Sequence, residues 1–281
     1  MDLTPFAAEV GVDGPVTITG LGSRGGPVPG VRVVRAPAGV EWVQADEMTV
    51  CCGAGTPVAE LAAALRDVGQ YVALPEGGTV GGALAVGLSG IRRLGDGPVR
   101  DALLQARYVS AAGEVVTAGG PTVKNVSGFD LCRVLVGSRG TLGFLGEVIL
   151  RTRPLAAASQ WWSAPTADPL AVVARLDRPV SVLWDGATLW ALIEGHPDDV
   201  DEQGRGAGLL PADGPPPCAY RHRMSVAPAT IPQLPGQFLA EVGVGVVHVD
   251  REPSVTIRLD LHRRVKEAFD PAGRLNPGVV V

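Results

Sequence analysis

The sequence predicts a chain of mixed α and β structure, on three observations. Short β-branched runs recur along the 281 residues, a few stretches repeat apolar positions at helical spacing, and Gly and Pro break the chain between them. Glycine and proline supply 38 and 24 residues, a high share that still lies below the roughly 25–30% of a low-complexity chain. Hydrophobic residues make up 46% of the chain, enough material for a core, and the length suits one or two domains. With a net charge of −5 and 19% charged residues, it lacks the basic surface that nucleic-acid phosphates require.

The elements follow in order. Val16–Thr19, Val31–Val34 and Met48–Cys52 read as strands. Thr56, Pro57 and Glu60 have the spacing of an N-cap, a first-turn proline and a capping-box acid, and they open a helix. Val58, Leu61, Ala62 and Leu65 form its apolar stripe, and Gly69 ends it. Gln105–Ser110 and Glu114–Thr117 flank Ala112-Gly113 as a hairpin, and Gly146–Arg151 is a further strand. Trp161 and Trp162 precede a helix-like stretch that runs to Arg175. Val180–Trp184 and Thr188–Ile193 pair through Asp185-Gly186, and residues 195–219 read as a loop. Ala219–Ser225 and Phe238–Val249 are strands, and Leu259–Phe269 is an amphipathic helix stopped by Asp270-Pro271-Ala272-Gly273.

Cys51, Cys52, Cys132 and Cys218 form no C-x-x-C pair, so the spacing expected of zinc or an iron–sulfur cluster is missing and no metal is expected. Met1 to Gly14 carries Asp2, Glu9 and Asp13 and no basic region, unlike a signal or transit peptide. No apolar run approaches the ~20 residues of a membrane span. The expectation is a cytoplasmic protein, any membrane contact being made through partners.

Gly20-Leu21-Gly22-Ser23-Arg24-Gly25 fits G-x-G-x-x-G after a strand, with Glu41 about 20 residues further on. Its context rejects a Rossmann unit. That loop must open a helix, whereas Pro27, Pro29 and Gly30 follow here, and proline inside a helix costs ~3 kcal/mol. A glycine loop can still hold phosphate through successive backbone N–H groups, and Ser23 could add a hydroxyl. An ordinary tight turn is the alternative for this loop taken alone.

Four more segments change that balance. They are Leu74–Ala85, with its T-V-G-G-A-L-A run, in which Thr79 is placed to cap a following helical turn; Ser89–Gly95, leading to Arg100-Asp101; Val123–Asp130, continuing into Gly137–Gly143; and Phe269–Gly278. In order and spacing the set resembles the vanillyl-alcohol oxidase family of flavoenzymes, with its PCMH-type FAD domain, and within it the FAD-binding subunits of bacterial glycolate oxidases. The resemblance covers residues 14–155 and the last 25 residues well and the middle weakly. It implies an α+β fold: a PCMH-type FAD-binding domain of two α/β subdomains (1–155), a reduced α+β cap (156–250) and a C-terminal segment (251–281) returning to the FAD domain.

The same resemblance implies site residues. Gly20, Leu21, Gly22, Ser23 and Arg24 would lie along the FAD pyrophosphate. Thr79, Val80, Gly81 and Gly82 would meet the pyrophosphate and adenosine side, and Ser89 and Gly90 the next stretch. Glu147 and Val148 would offer backbone groups to adenine, and Asn276 would bond near the isoalloxazine ring. Lys124 begins the specific K-N-V-S-G run, whereas Gly137–Gly143 could simply turn the chain and Arg100-Asp101 could be a structural ion pair. Leu21 stands where a glycine is usual, Gly87-Leu88 where Asn-Ala is frequent, and Asp96 near a position that is often aromatic. The first loop has no His or Cys, so FAD is expected to be non-covalent.

Oxidation of a small 2-hydroxy acid by hydride transfer to flavin would need an Arg for the carboxylate and a His for the hydroxyl proton. Arg221, Arg223 and His248 are the candidates, with His222 pointing the other way on its strand. An exposed or structurally satisfied side chain is the alternative for each histidine. The expectation is therefore a FAD-binding oxidoreductase subunit acting on glycolate or a similar acid, beside a catalytic flavoprotein subunit and an iron–sulfur subunit. A self-sufficient FAD dehydrogenase and a non-catalytic flavin-binding scaffold stay open.

Overall fold

The computed structural model describes residues 1–121, 130–252 and 259–280. The chain divides into two compact units: one of Met1–Gly90, Pro98–Leu155 and Ile257–Val281, the other of Ile91–Gly97 and Ala156–Thr256.

The first unit is built on a five-stranded antiparallel sheet in the order Val40–Gln44, Thr49–Gly53, Phe144–Arg151, Leu103–Val109, Val115–Gly119. Its central strand, Phe144–Arg151, is buried along seven of its eight residues, which is why that stretch reads as an almost unbroken apolar run. The expected hairpin turns at Gly113, where φ is +75°. The expected helix spans Val58–Arg66 and buries Val58, Leu61 and Leu65. Pro57, not Thr56, occupies its N-cap position. Thr56 is fully buried instead, its hydroxyl bonded to the Gly39 N–H (2.9 Å) and carbonyl (3.2 Å), so a tertiary contact takes the place of the local cap.

The short helix Val80–Val86 is capped as its sequence implies, the Gly82 N–H donating to the Thr79 hydroxyl over 3.1 Å. Glycine inside a helix costs about 1 kcal/mol relative to alanine, and Gly81 has a reason to be there. Its N–H meets the Ala54 carbonyl at 2.7 Å, and a Cβ would lie only 2.8 Å from that oxygen.

A parallel pair, Val16–Ile18 with Arg32–Val34, extends to the far end of the chain: Leu275 bridges Val16 in parallel. Leu259–Phe269 is helical as expected. An N-terminal helix, Thr4–Val10, was not legible; only Phe6 and Val10, one turn apart, mark its buried stripe.

The second unit is a seven-stranded antiparallel sheet in the order Leu210–Ala212, Ala158–Pro165, Thr188–Gly195, Ser181–Trp184, Leu239–Glu241, Val246–Val249, His222–Ser225. Here the sequence misleads in three places. Trp161 and Trp162 lie within a strand, and the helix that follows is only Pro169–Val173. Residues 195–219 contain a ten-residue helix, Pro197–Gly206, and the edge strand Leu210–Ala212. That helix is largely polar, with Val200 and Gly204 its buried residues: Val200 joins the core of this unit, and Gly204 sits so close to Trp162 that a Cβ would fall 2.3 Å from the indole. The third is Phe238–Val249, which splits into two strands at Gly243 and Gly245, both with positive φ. The hairpin through Asp185-Gly186 forms as expected, Asp185 Oδ1 accepting from the Ala187 and Thr188 N–H groups.

Candidate functional site

The first unit holds a cavity of about 240 Å³. Its wall joins three glycine-rich stretches: the loop Gly20–Gly26, the turn containing Thr79, Gly81 and Gly82, and Ser138–Gly140, with Asn276 from the C-terminal segment. No helix follows the first loop; the chain runs on through Pro27 and Pro29 to the strand Arg32–Val34.

Arg24 ties two of these stretches together. Its guanidinium donates to the carbonyls of Gly77 (2.6 Å), Glu76 (2.8 Å) and Pro75 (3.0 Å), fixing the second loop against the first. Because those partners are neutral, the arginine brings positive charge without a carboxylate to cancel it. Burial pushes its pKa down from the ordinary arginine value, far too little to discharge the group at neutral pH. Among the described residues of the lining, Arg24 and Arg139 are the charged ones, with no Asp or Glu.

The C-terminal motif acts as a set of braces. Asn276 Oδ1 accepts from the Thr17 hydroxyl (2.8 Å) and the Ile18 N–H (3.2 Å), while Nδ2 donates to the Arg139 carbonyl (2.7 Å). Asp270, fully buried, accepts from Lys266 Nζ (2.5 Å), the Leu275 N–H (2.7 Å) and the Arg274 N–H (3.1 Å). Burial pushes its carboxyl pKa up, but these donors outweigh it and hold the pKa below the usual carboxylate value. Arg274 donates to five backbone carbonyls, those of Val10, Gly11, Asp13, Gly14 and Ala111.

Of the residues the sequence singled out, Gly20, Leu21, Gly22, Ser23, Arg24, Thr79, Gly81, Gly82 and Asn276 line one cavity. Val80 does not; its side chain is in the core. Ser89 and Gly90 lie outside the lining, and the Ser89 hydroxyl accepts from the Val99 N–H at 3.0 Å. Glu147 and Val148 also lie outside it, on the central strand, whose neighbours on both sides engage its backbone in ladder bonds. The Glu147 side chain pairs with Arg107 (3.0 Å) and the Met1 ammonium (2.5 Å). Lys124 lies outside the described residues.

Arg223 and His248 come together in the second unit, around a residue the sequence reading passed over. Glu241, 2% exposed, accepts at Oε1 from His248 Nε2 (2.8 Å) and Arg223 (3.3 Å), while its buried Oε2 has no hydrogen-bond partner among the described residues. A lone acid inside the apolar run F-L-A-E-V was the available signal. Arg221 is exposed and precedes the strand that carries Arg223. Arg139 was also missed, because its glycine neighbours read as a turn. Burial pushes the thiols of Cys51, Cys52 and Cys132 up to about 11, 12 and 11, which leaves them protonated and poorly nucleophilic at neutral pH.

Two domain families match the chain: the FAD binding domain over residues 9–119 and the C-terminal domain of FAD linked oxidases over residues 229–280. The chain is thus a flavoprotein with a PCMH-type FAD-binding fold. Among curated proteins it is 38% identical over 154 residues to "Glycolate oxidase subunit GlcE" of Escherichia coli, a match covering 52% of this chain and 44% of that one. It is 36% identical over 141 residues to "D-lactate dehydrogenase" of Archaeoglobus fulgidus, covering 48% and 32%. "Glycolate oxidase subunit GlcD" of Bacillus subtilis is 40% identical over 76 residues, covering 27% and 16%. Each match spans less than half the relative's length. Among solved structures, alkyldihydroxyacetonephosphate synthase has the same fold, with a TM-score of 0.69 at 16% identity over 95% of this chain and 73% of that one. Among the described residues no helix is long and apolar enough to cross a membrane.

Proposed function

We propose that this chain is a FAD-binding oxidoreductase subunit that takes part in oxidising glycolate or a similar 2-hydroxy acid, with electrons passed to a partner. One observation carries the reading: a cavity walled by three glycine-rich stretches, whose described lining holds two arginines and no carboxylate. A dinucleotide pyrophosphate needs such a wall, with bare backbone for close approach and positive charge without competing acids. The residues present fit FAD on that count. When bound, FAD supplies a hydride acceptor at ring nitrogen N5.

The chain's own residues bind and orient. The Gly20–Gly26 loop would lie along the pyrophosphate, held in place by Arg24 against the Pro75–Gly77 carbonyls. Thr79, Gly81 and Gly82 would form the facing wall. Asn276 would hold the Thr17–Ile18 and Arg139 backbones at a fixed separation beside the cofactor. The likeness to GlcE and GlcD motivates the acid substrate and a multi-subunit assembly, in which this chain would act beside a catalytic flavoprotein and an iron–sulfur subunit.

A self-sufficient FAD dehydrogenase is the second reading, and the His248–Glu241–Arg223 cluster favours it. A carboxylate that orients an imidazole beside a guanidinium is an arrangement that can accept a hydroxyl proton and hold a carboxylate. The test is reconstitution. The purified chain with FAD should show a bound-flavin spectrum; no binding overturns both readings. Anaerobic glycolate or D-lactate should bleach that flavin only when partner subunits are present; bleaching by the isolated chain would establish the second reading.

A further inference from the structure

The two arginines of the cavity differ in what they are free to do. The Arg24 guanidinium is engaged by three carbonyls. The Arg139 side chain is exposed and has no hydrogen bond or ion pair among the described residues, yet it lines the same cavity. Its backbone is held in the left-handed region, at φ +50°, where a residue with a Cβ is strained by about 1–2 kcal/mol. Two hydrogen bonds maintain that conformation: the Arg139 N–H to the Ala85 carbonyl (2.8 Å) and Asn276 Nδ2 to the Arg139 carbonyl (2.7 Å). Glycine would suit the turn without strain, as the next residue, Gly140 at φ +70°, does. A strained position that keeps a long cationic side chain, unpaired among the described residues and lining a cavity whose described wall has no acid, points to a ligand for the cation.

We infer that Arg139 is an anion-binding residue of this cavity, and that its ligand is a phosphoryl group of a bound adenine dinucleotide. The inference rests on the FAD reading above and adds to it a specific residue. Arg24 then shapes the site and sets its potential, while Arg139 makes the direct, charge-assisted contact.

The test measures the full-length chain without cofactor, its melting temperature and its dissociation constants for FAD and for ADP, in wild type and in Arg139→Gly, Arg139→Ala and Arg139→Lys. Arg139→Gly should raise the melting temperature of the apoprotein by about 2–4 °C, because the strain is relieved. The same variant and Arg139→Ala should weaken FAD and ADP binding by about ten- to a hundred-fold, the effect of losing one charge-assisted hydrogen bond. Arg139→Lys should recover part of the affinity. Opposite signs for apoprotein stability and ligand affinity are not expected of an arginine that merely completes a turn. Unchanged FAD and ADP affinities in all three variants would overturn the inference and leave the FAD reading standing. ADP binding unchanged while glycolate affinity falls would also overturn it, by assigning the guanidinium to a substrate carboxylate. A wild type that binds ADP through Arg139 but not FAD would uphold the inference and overturn the FAD reading, and a wild type that binds neither would overturn both.

Discussion

Thr17 donates its hydroxyl hydrogen to Asn276 Oδ1 over 2.8 Å, joining residues 259 positions apart, and the same hydroxyl accepts the Val28 N–H at 3.1 Å. One side chain thus clamps the return of the first glycine loop to the C-terminal segment. The loop itself lies outside regular helix and strand, so its shape depends on such clamps at its ends and on Arg24 at its middle.

Asn276→Ala removes the acceptor for Thr17 and Ile18 and the donor for Arg139. The variant should lose about 2–4 kcal/mol, because each buried polar group left unpaired costs about 1–3 kcal/mol and water restores some of it. FAD affinity should fall as well, since the two walls it joins both line the cavity. Urea midpoints and flavin titration measure the two effects; unchanged values for both would refute the brace.

Arg274 is 6% exposed and serves five carbonyls at three separate nitrogens. Arg274→Ala should destabilise the protein by about 3–5 kcal/mol. Arg274→Lys should recover little, because a compact ammonium with three donors cannot span carbonyls arranged around a planar fork. Equal urea midpoints for the lysine variant and wild type would show that charge alone suffices.

Asp270 gives a pH dependence with a definite sign. Its carboxyl pKa is depressed in the folded state, so the stability it contributes is complete above the unfolded value of about 3.9 and is lost as the pH falls through the folded value. Asp270→Asn should therefore lie about 2–3 kcal/mol below wild type at pH 7, and the gap should narrow below about pH 4 as wild type takes up its own proton. A gap independent of pH in acid titration of both proteins would remove the charge from the explanation.

Two glycines of the cavity should respond in opposite ways to alanine. At Gly81 the new Cβ would press on the Ala54 carbonyl at 2.8 Å and on Ala54 Cβ at 2.9 Å, so the fold should suffer although alanine is the better helix former. At Gly26 a Cβ would meet no atom within 4 Å, so thermal stability should hold while flavin affinity falls. Melting curves and flavin titrations on both variants separate backbone crowding from cofactor crowding; a destabilised Gly26→Ala would contradict the open space seen there.

The legible elements were those with a local cause. Thr79 could be read as a cap because its acceptor role is completed three residues along, at Gly82. The stripe of Val58, Leu61 and Leu65 could be read because one helix face meets one core. The helix Pro197–Gly206 could not, because its residues are largely polar and its two buried ones, Val200 and Gly204, find their partners in strands distant in the chain. Thr56 was misread for the same reason: its hydroxyl is satisfied by Gly39, 17 positions away.

The sequence by itself determined where bare, glycine-rich backbone would lie. Residues 1–146 hold 27 of the 38 glycines, and Pro27 and Pro29 bar the helix that a Rossmann loop must open. Those are local facts, since Gly removes side chains and Pro removes an N–H wherever they stand. Only the tertiary structure decided what each polar side chain does. Arg24 and Arg139 are equally charged in the sequence, yet three carbonyls engage one and, among the described residues, none engages the other, and Glu241 gains its histidine and arginine only when three strands align. A hydrogen bond or a buried charge depends on partners that are distant in the chain, and the fold alone brings them within reach.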